Sequence, residues 1–95
     1  MRLVWGLGAR RDFIELISYI AEQNPQTAEL VANRIDKAVE LLTRMPQVGR
    51  GGRVGGTREL VVQRTPYILV YRFNMDVVHI LRIFRGARDW PSRFD

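Results

Sequence analysis

Residues 67–85 read YILVYRFNMDVVHILRIFR, two runs of β-branched, aromatic and aliphatic residues parted by Asn74-Met75-Asp76. Tyr67 to Phe73 and Val77 to Phe84 have strand composition, and so short a connection makes them antiparallel neighbours. Both runs are apolar on both faces. Ile68 and Val70 alternate with Tyr67, Leu69, Tyr71 and Phe73, while Val77, Leu81 and Ile83 stand beside Val78, Ile80 and Phe84. Such strands suit the centre of a sheet, or a face that a partner covers. Upstream, Glu59 to Gln63 is a third run, joined through Thr65-Pro66. The second half of the chain therefore predicts a β-meander over about residues 58–85.

Before it, Pro46, Gly49, Gly51, Gly52, Gly55 and Gly56 crowd together with Arg50 and Arg53, which is loop chemistry over about residues 46–57. Earlier still, Phe13, Leu16, Ile17 and Ile20 mark one face of a helix from about Ala9 to Glu22. Asn24-Pro25 stops it and starts another, with Asn24 as cap and proline in the first turn. Ala28, Val31, Ile35, Ala38, Val39 and Leu42 carry the second helix from about Gln26 to Arg44. The link is short enough to make an antiparallel helical hairpin over about 9–44. Arg2 to Trp5 supplies a further strand. The expected fold is α+β, in the order β-α-α-β-β-β, with the N-terminal strand and helical hairpin on one face of an antiparallel sheet. Residues 86–95 form a C-terminal tail, and the 95 residues make one domain.

Fifteen basic residues, fourteen of them arginine, face ten acids, for a net charge of +5. Residues 1–43 hold five bases and six acids, whereas residues 44–95 hold ten arginines and four acids. The positive charge thus belongs to the second half, which suits a phosphate-bearing or acidic protein partner. With no cysteine, disulfides and thiolate metal sites are excluded. No apolar run reaches the ~18 residues that suggest a membrane span, and the start lacks signal-peptide character, so a cytoplasmic protein is expected. No cofactor or metal is implied.

Nucleotide-cradling, zinc-protease and nucleophile-elbow motifs are missing. GRGGRVGG (49–56) lacks the Lys-Ser/Thr and the helix of a phosphate loop. His79, the only histidine, reads as a sheet residue. Asp12 and Glu15 suit the positive end of a helix dipole. What remains is an arginine set: Arg58, Arg64, Arg72, Arg82, Arg85, Arg88 and Arg93, with Trp90 beside it. Alternation puts Arg82 and Arg85 on opposite faces. A strand-end cluster of Arg58 with Arg85 and Arg88 is the expected phosphodiester site. Cleaving RNA there also needs a base, from among Glu59, Tyr67, His79, Asp89 and Asp95.

The segments YIAEQNPQTA (19–28), MPQVGR (45–50), TREL (57–60), PYILVYR (66–72) and HILRIFRGARDWP (79–91), in this order, resemble the RelE/ParE superfamily of toxins from bacterial type II toxin–antitoxin modules. The resemblance spans almost the whole chain and implies the fold derived above. It implies one of two activities: cleavage of mRNA in the ribosome, as in RelE-type toxins, or inhibition of DNA gyrase, as in ParE-type toxins. A RelE-like catalytic set is incomplete, with Ile68 and Glu59 where basic residues are expected and no tyrosine in the tail. Arg58, Arg85 and Arg88 are what such a nuclease would have left. The long hairpin favours the ParE-like reading. Arg58, Arg64, Arg72, Arg82, Arg85, Arg88 and Trp90 are then the target-binding residues.

The resemblance also implies a cognate antitoxin and a toxin–antitoxin hetero-oligomer. Independently, the basic second half and surplus apolar strand surface suit an acidic, partly disordered partner with apolar anchors. A third reading is a basic nucleic-acid-binding module without toxic activity.

Overall fold

The computed structural model describes residues 1–86. Strand β1 (Arg2–Trp5) leads into helices α1 (Leu7–Gln23) and α2 (Pro25–Arg44). A 3₁₀ turn (Pro46–Val48) and the two-residue strand β2 (Arg50–Gly51) follow, then β3 (Arg58–Val61), β4 (Tyr67–Asn74) and β5 (Val77–Arg85). One sheet results, in the order β1-β5-β4-β3-β2.

The helix break forms as the sequence implies. The Asn24 side chain accepts hydrogen bonds from the amides of Gln26 at 3.0 Å and Thr27 at 3.1 Å, and Pro25 sits in the first turn of α2. These are the amides a helix start leaves without carbonyl partners. From α2, Val31, Ile35, Val39 and Leu42 enter the core against Leu69, Tyr71, Val78, Ile80 and Ile83 of the sheet. Phe13, Leu16, Ile17 and Ile20 of α1 pack around them, and Trp5 meets Phe13 edge to face at 5.7 Å.

The sheet is mixed where an antiparallel one was expected. β2–β3, β3–β4 and β4–β5 are antiparallel, but β1 runs parallel to β5, with Arg2 opposite Val77 and Trp5 opposite Ile80. The two antiparallel helices return the chain to the side where it began, so β3 leaves in the direction of β1. Two antiparallel steps later β5 has that direction too. Helix α1 begins at Leu7, two residues before the expected start at Ala9, because the Gly6 amide bonds the Ile80 carbonyl at 2.8 Å and delivers the chain directly into the first turn. A Cβ on Gly8 would stand 2.8 Å from Arg82 Cδ, so glycine lets this turn approach β5.

The glycine-rich loop is more ordered than loop composition suggests. The buried Tyr71 hydroxyl donates to the Pro46 carbonyl at 2.7 Å and accepts from the Gly49 amide at 2.9 Å. A Cβ on Gly49 would lie 2.5 Å from that hydroxyl. Burial pushes the Tyr71 pKa up, while the bond from Gly49 and the charge of Arg58 act in the opposite direction.

Candidate functional site

The register assigns every strand residue to a face. Leu69, Tyr71 and Ile83 point toward the helices, and the alternate residues form a second face that no helix of the described residues covers. At its centre Val70 lies opposite Arg82 on β5 and Glu59 on β3. One step along, Arg72 lies opposite His79, which in turn faces Val4 of β1. At the other end Ile68 meets Phe84 and Val61. A register shift at Val70/Tyr71 lets Arg82 and His79 share this face although they stand three residues apart along β5, an odd spacing that would otherwise put them on opposite faces.

Two of the charged groups here are committed to the fold. Glu59 is 3% exposed, and Arg50 reaches its Oε1 with Nη2 at 3.0 Å and Nε at 3.3 Å. The Arg53 amide donates to Oε2 at 2.8 Å, and Arg53 Nε stands 3.7 Å from Oε1. Both carboxylate oxygens are therefore occupied in drawing the loop onto the sheet. Arg82 is clamped to Asp12 of α1 through Nε at 2.7 Å and Nη2 at 3.0 Å, and Asp12 also accepts the Ile83 amide at 2.9 Å. The Asp12 hydrogen bonds raise the Arg82 pKa, and the guanidinium lies 4.6 Å from the centre of the Phe84 ring.

The other sequence-derived positions scatter. Arg58 lies 5.5 Å from the Phe73 ring centre and donates to the carbonyls of Gln47 at 3.2 Å and Gly49 at 3.0 Å. It pairs with Tyr71, whereas Arg85 pairs with Tyr67. Four residues along β4 at ~3.3 Å each hold Arg58 and Arg85 apart, so they do not form the expected strand-end cluster. Arg85 instead borders a cleft of about 280 Å³ shared with Asp12, Glu15, Tyr19 and Tyr67, whose carboxylates disfavour a phosphate. Arg64 adopts a left-handed turn (φ 63°), and its carbonyl accepts from Arg34 Nη1 at 3.1 Å. Arg72 is exposed and, among the described residues, no carboxylate pairs with it or with Arg85. Arg88, Arg93, Trp90, Asp89 and Asp95 lie outside the described residues.

The site that the tertiary structure assembles is thus the exposed Arg72 beside half-buried His79, on the face that also carries the clamped Arg82 and Glu59. Sequence reasoning singled out Arg72, and read His79 as a sheet residue while naming it among five candidate bases. Their pairing depends on the two-residue turn between β4 and β5, the one signal that would have found it. Among the described residues no three His, Asp or Glu side chains gather as a metal site, and no helix is long and apolar enough to cross a membrane.

Residues 3–90 match the family described as the ParE toxin of the type II toxin–antitoxin system parDE. Toxin Y4kP of Sinorhizobium fredii is 41% identical over 96% of this chain and 94% of its own length. Toxin RelE1 of Caulobacter vibrioides is 35% identical over 82% of this chain and 85% of its own. Among solved structures, the chromosomal ParDE system of P. aeruginosa superposes with a TM-score of 0.82 at 27% identity, covering 90% of this chain and 96% of that one. The RelBE2 toxin–antitoxin complex of Mycobacterium tuberculosis gives 0.60 at 28% identity, over 90% and 91%. The chain accordingly belongs to the ParE toxin family, within the wider ParE/RelE group of type II toxin–antitoxin systems.

Proposed function

We propose that this toxin arrests growth by binding and inhibiting DNA gyrase, and that a cognate acidic antitoxin neutralises it in a cytoplasmic hetero-oligomer. The observation that carries this reading is the state of the groups a nuclease would use. Glu59 spends both oxygens on Arg50 and Arg53, Arg82 is clamped by Asp12, and Arg58 is tied to two loop carbonyls. Groups so engaged are poorly placed to take a proton from a 2′-hydroxyl or to follow charge developing on a phosphate. Binding, by contrast, needs only a shaped surface with accessible cations. Arg72 and Arg85 are the contact residues of this reading, together with Arg88 and Trp90 from the tail. Arg58, Arg64 and Arg82 position the loops and the helix that frame them.

The higher structural similarity to a ParE than to a RelE complex supports the same choice. An antitoxin partner is supported by both similar structures, which belong to toxin–antitoxin systems.

One observation favours the second reading, a ribosome-dependent mRNA endoribonuclease. His79 and Arg72 stand opposite one another on an uncovered face, and an imidazole beside a guanidinium is a workable proton acceptor and phosphate clamp. Inducible expression, with plasmid supercoiling and message integrity followed in the same cells during the first minutes, separates the two. Loss of negative supercoiling with intact messages is expected. Rapid cleavage of translated messages with normal supercoiling overturns gyrase in favour of the ribosome. Growth without arrest, with salt-sensitive binding to naked nucleic acid, would favour the non-toxic module.

A further inference from the structure

Between α1 and the end of the β4–β5 pair lies the cleft of about 280 Å³ that Arg85 borders. Its size is close to the lower end of the ~300–1,000 Å³ range of small-molecule sites. Asp12, Glu15, Leu16 and Tyr19 reach it from one face of α1, at the i, i+3, i+4 and i+7 spacing of a helix. Tyr67 and Ile83 close it from the sheet.

Tyr67 is 9% exposed, and its hydroxyl, unlike that of Tyr71, has no hydrogen-bond partner among the described residues. No enclosed polar side-chain atom of those residues lacks a partner, so the Tyr67 oxygen is not enclosed and opens on the cleft that it lines. A phenol so buried, with donor and acceptor both unused, is suited to a polar ligand atom.

Charge then narrows the class of ligand. Asp12 has spent its oxygens on Arg82 and the Ile83 amide. Glu15 on the helix side and Arg85 on the sheet side are both exposed, and neither enters an ion pair among the described residues. The cleft therefore offers one available carboxylate and one available guanidinium on its two sides, with Leu16 and Ile83 as apolar floor. A simple anion meets a like charge at Glu15, and a simple cation meets one at Arg85. A group that carries both charges finds the opposite sign at each.

We propose that this cleft binds a free α-amino acid with an apolar or aromatic side chain. The ammonium pairs with Glu15 and donates to the Tyr67 hydroxyl, and the carboxylate accepts from Arg85. The side chain lies on Leu16 and Ile83 beside the exposed Tyr19 ring.

The test titrates the whole purified protein with L-phenylalanine while the Leu16, Tyr67 and Ile83 resonances are followed by NMR. Phenethylamine, without the carboxylate, and phenylpropionate, without the ammonium, are the comparison ligands. L-Phenylalanine is expected to bind at least about tenfold more tightly than either. Glu15→Gln is expected to abolish its advantage over phenylpropionate, and Arg85→Gln its advantage over phenethylamine; both heads are exposed, so each variant keeps the fold. Tyr67→Phe keeps the ring, deletes the hydroxyl and should weaken binding by roughly threefold to tenfold. Phenethylamine binding as tightly as L-phenylalanine would make this a site for organic cations, and phenylpropionate doing so would make it one for anions. Either result overturns the proposal, as does the absence of any shift at millimolar L-phenylalanine. The readout is on the isolated toxin, so it is independent of whether gyrase or the ribosome is the target.

Discussion

The two faces of the sheet bury aliphatic side chains by different means. On the helix side, Ile35 and Leu42 of α2 lie over Leu69 and Ile80, all four inaccessible to solvent. On the second face Val70 is equally inaccessible, but its cross-strand neighbours are Glu59 and Arg82, each locked by a counter-charge, Arg50 of β2 for the one and Asp12 of α1 for the other. Long charged side chains can cover apolar surface with their stems while their heads find partners. The difference teaches how to sort the arginines. Those whose heads are consumed in holding the fold, Arg58 and Arg82, are poor candidates for contact with a target; Arg72 and Arg85 are better ones.

The largest test of this contrast is in the helix-covered core. Leu42→Ala is expected to cost about 2–5 kcal/mol by urea unfolding, because the close-packed site cannot collapse around the lost methyl groups. A cost below about 1 kcal/mol would mean that the helices contribute less than the charged lid. On the second face, Glu59→Ala leaves the Arg53 amide without its acceptor and should cost about 1–3 kcal/mol. It should also speed hydrogen exchange across residues 50–56. An unchanged loop would show that Glu59 does not hold it.

Tyr71→Phe deletes two hydrogen bonds at the junction of sheet and loop, for about 1–2 kcal/mol. It also carries a pH signature. An unfolded tyrosine ionises near about pH 10, and the folded Tyr71 holds its proton to a higher pH. This contribution is thus complete below about pH 10 and is lost as pH rises from there through the folded value. The phenylalanine variant should lack that alkaline slope, and an identical slope in both proteins would remove Tyr71 as its source.

Arg72→Glu is expected to change stability least, within about 0.5 kcal/mol, because its head is exposed and has no ion-pair partner among the described residues. Growth arrest should nevertheless be lost. Retained arrest in a soluble Arg72→Glu protein would move the working surface off this face and toward Arg85.

Helical periodicity, the Asn24-Pro25 break and the strand composition of residues 67–85 determined the elements and their order apart from the two-residue β2, which lies in the stretch read as loop, because each depends on neighbours in the chain. The resemblance carried by GARDWP and PYILVYR pointed to the toxin family that the comparisons then established. What the sequence could not decide was which charges are spent. Asp12 and Arg82 are seventy residues apart, and Glu59 meets Arg50 only because a two-residue strand folds back beside it. The parallel placing of β1 against β5 is likewise a matter of how the layers close. Side-chain period assigns a residue to a face, but only tertiary contact supplies the partner that turns an arginine from a binding group into a strut.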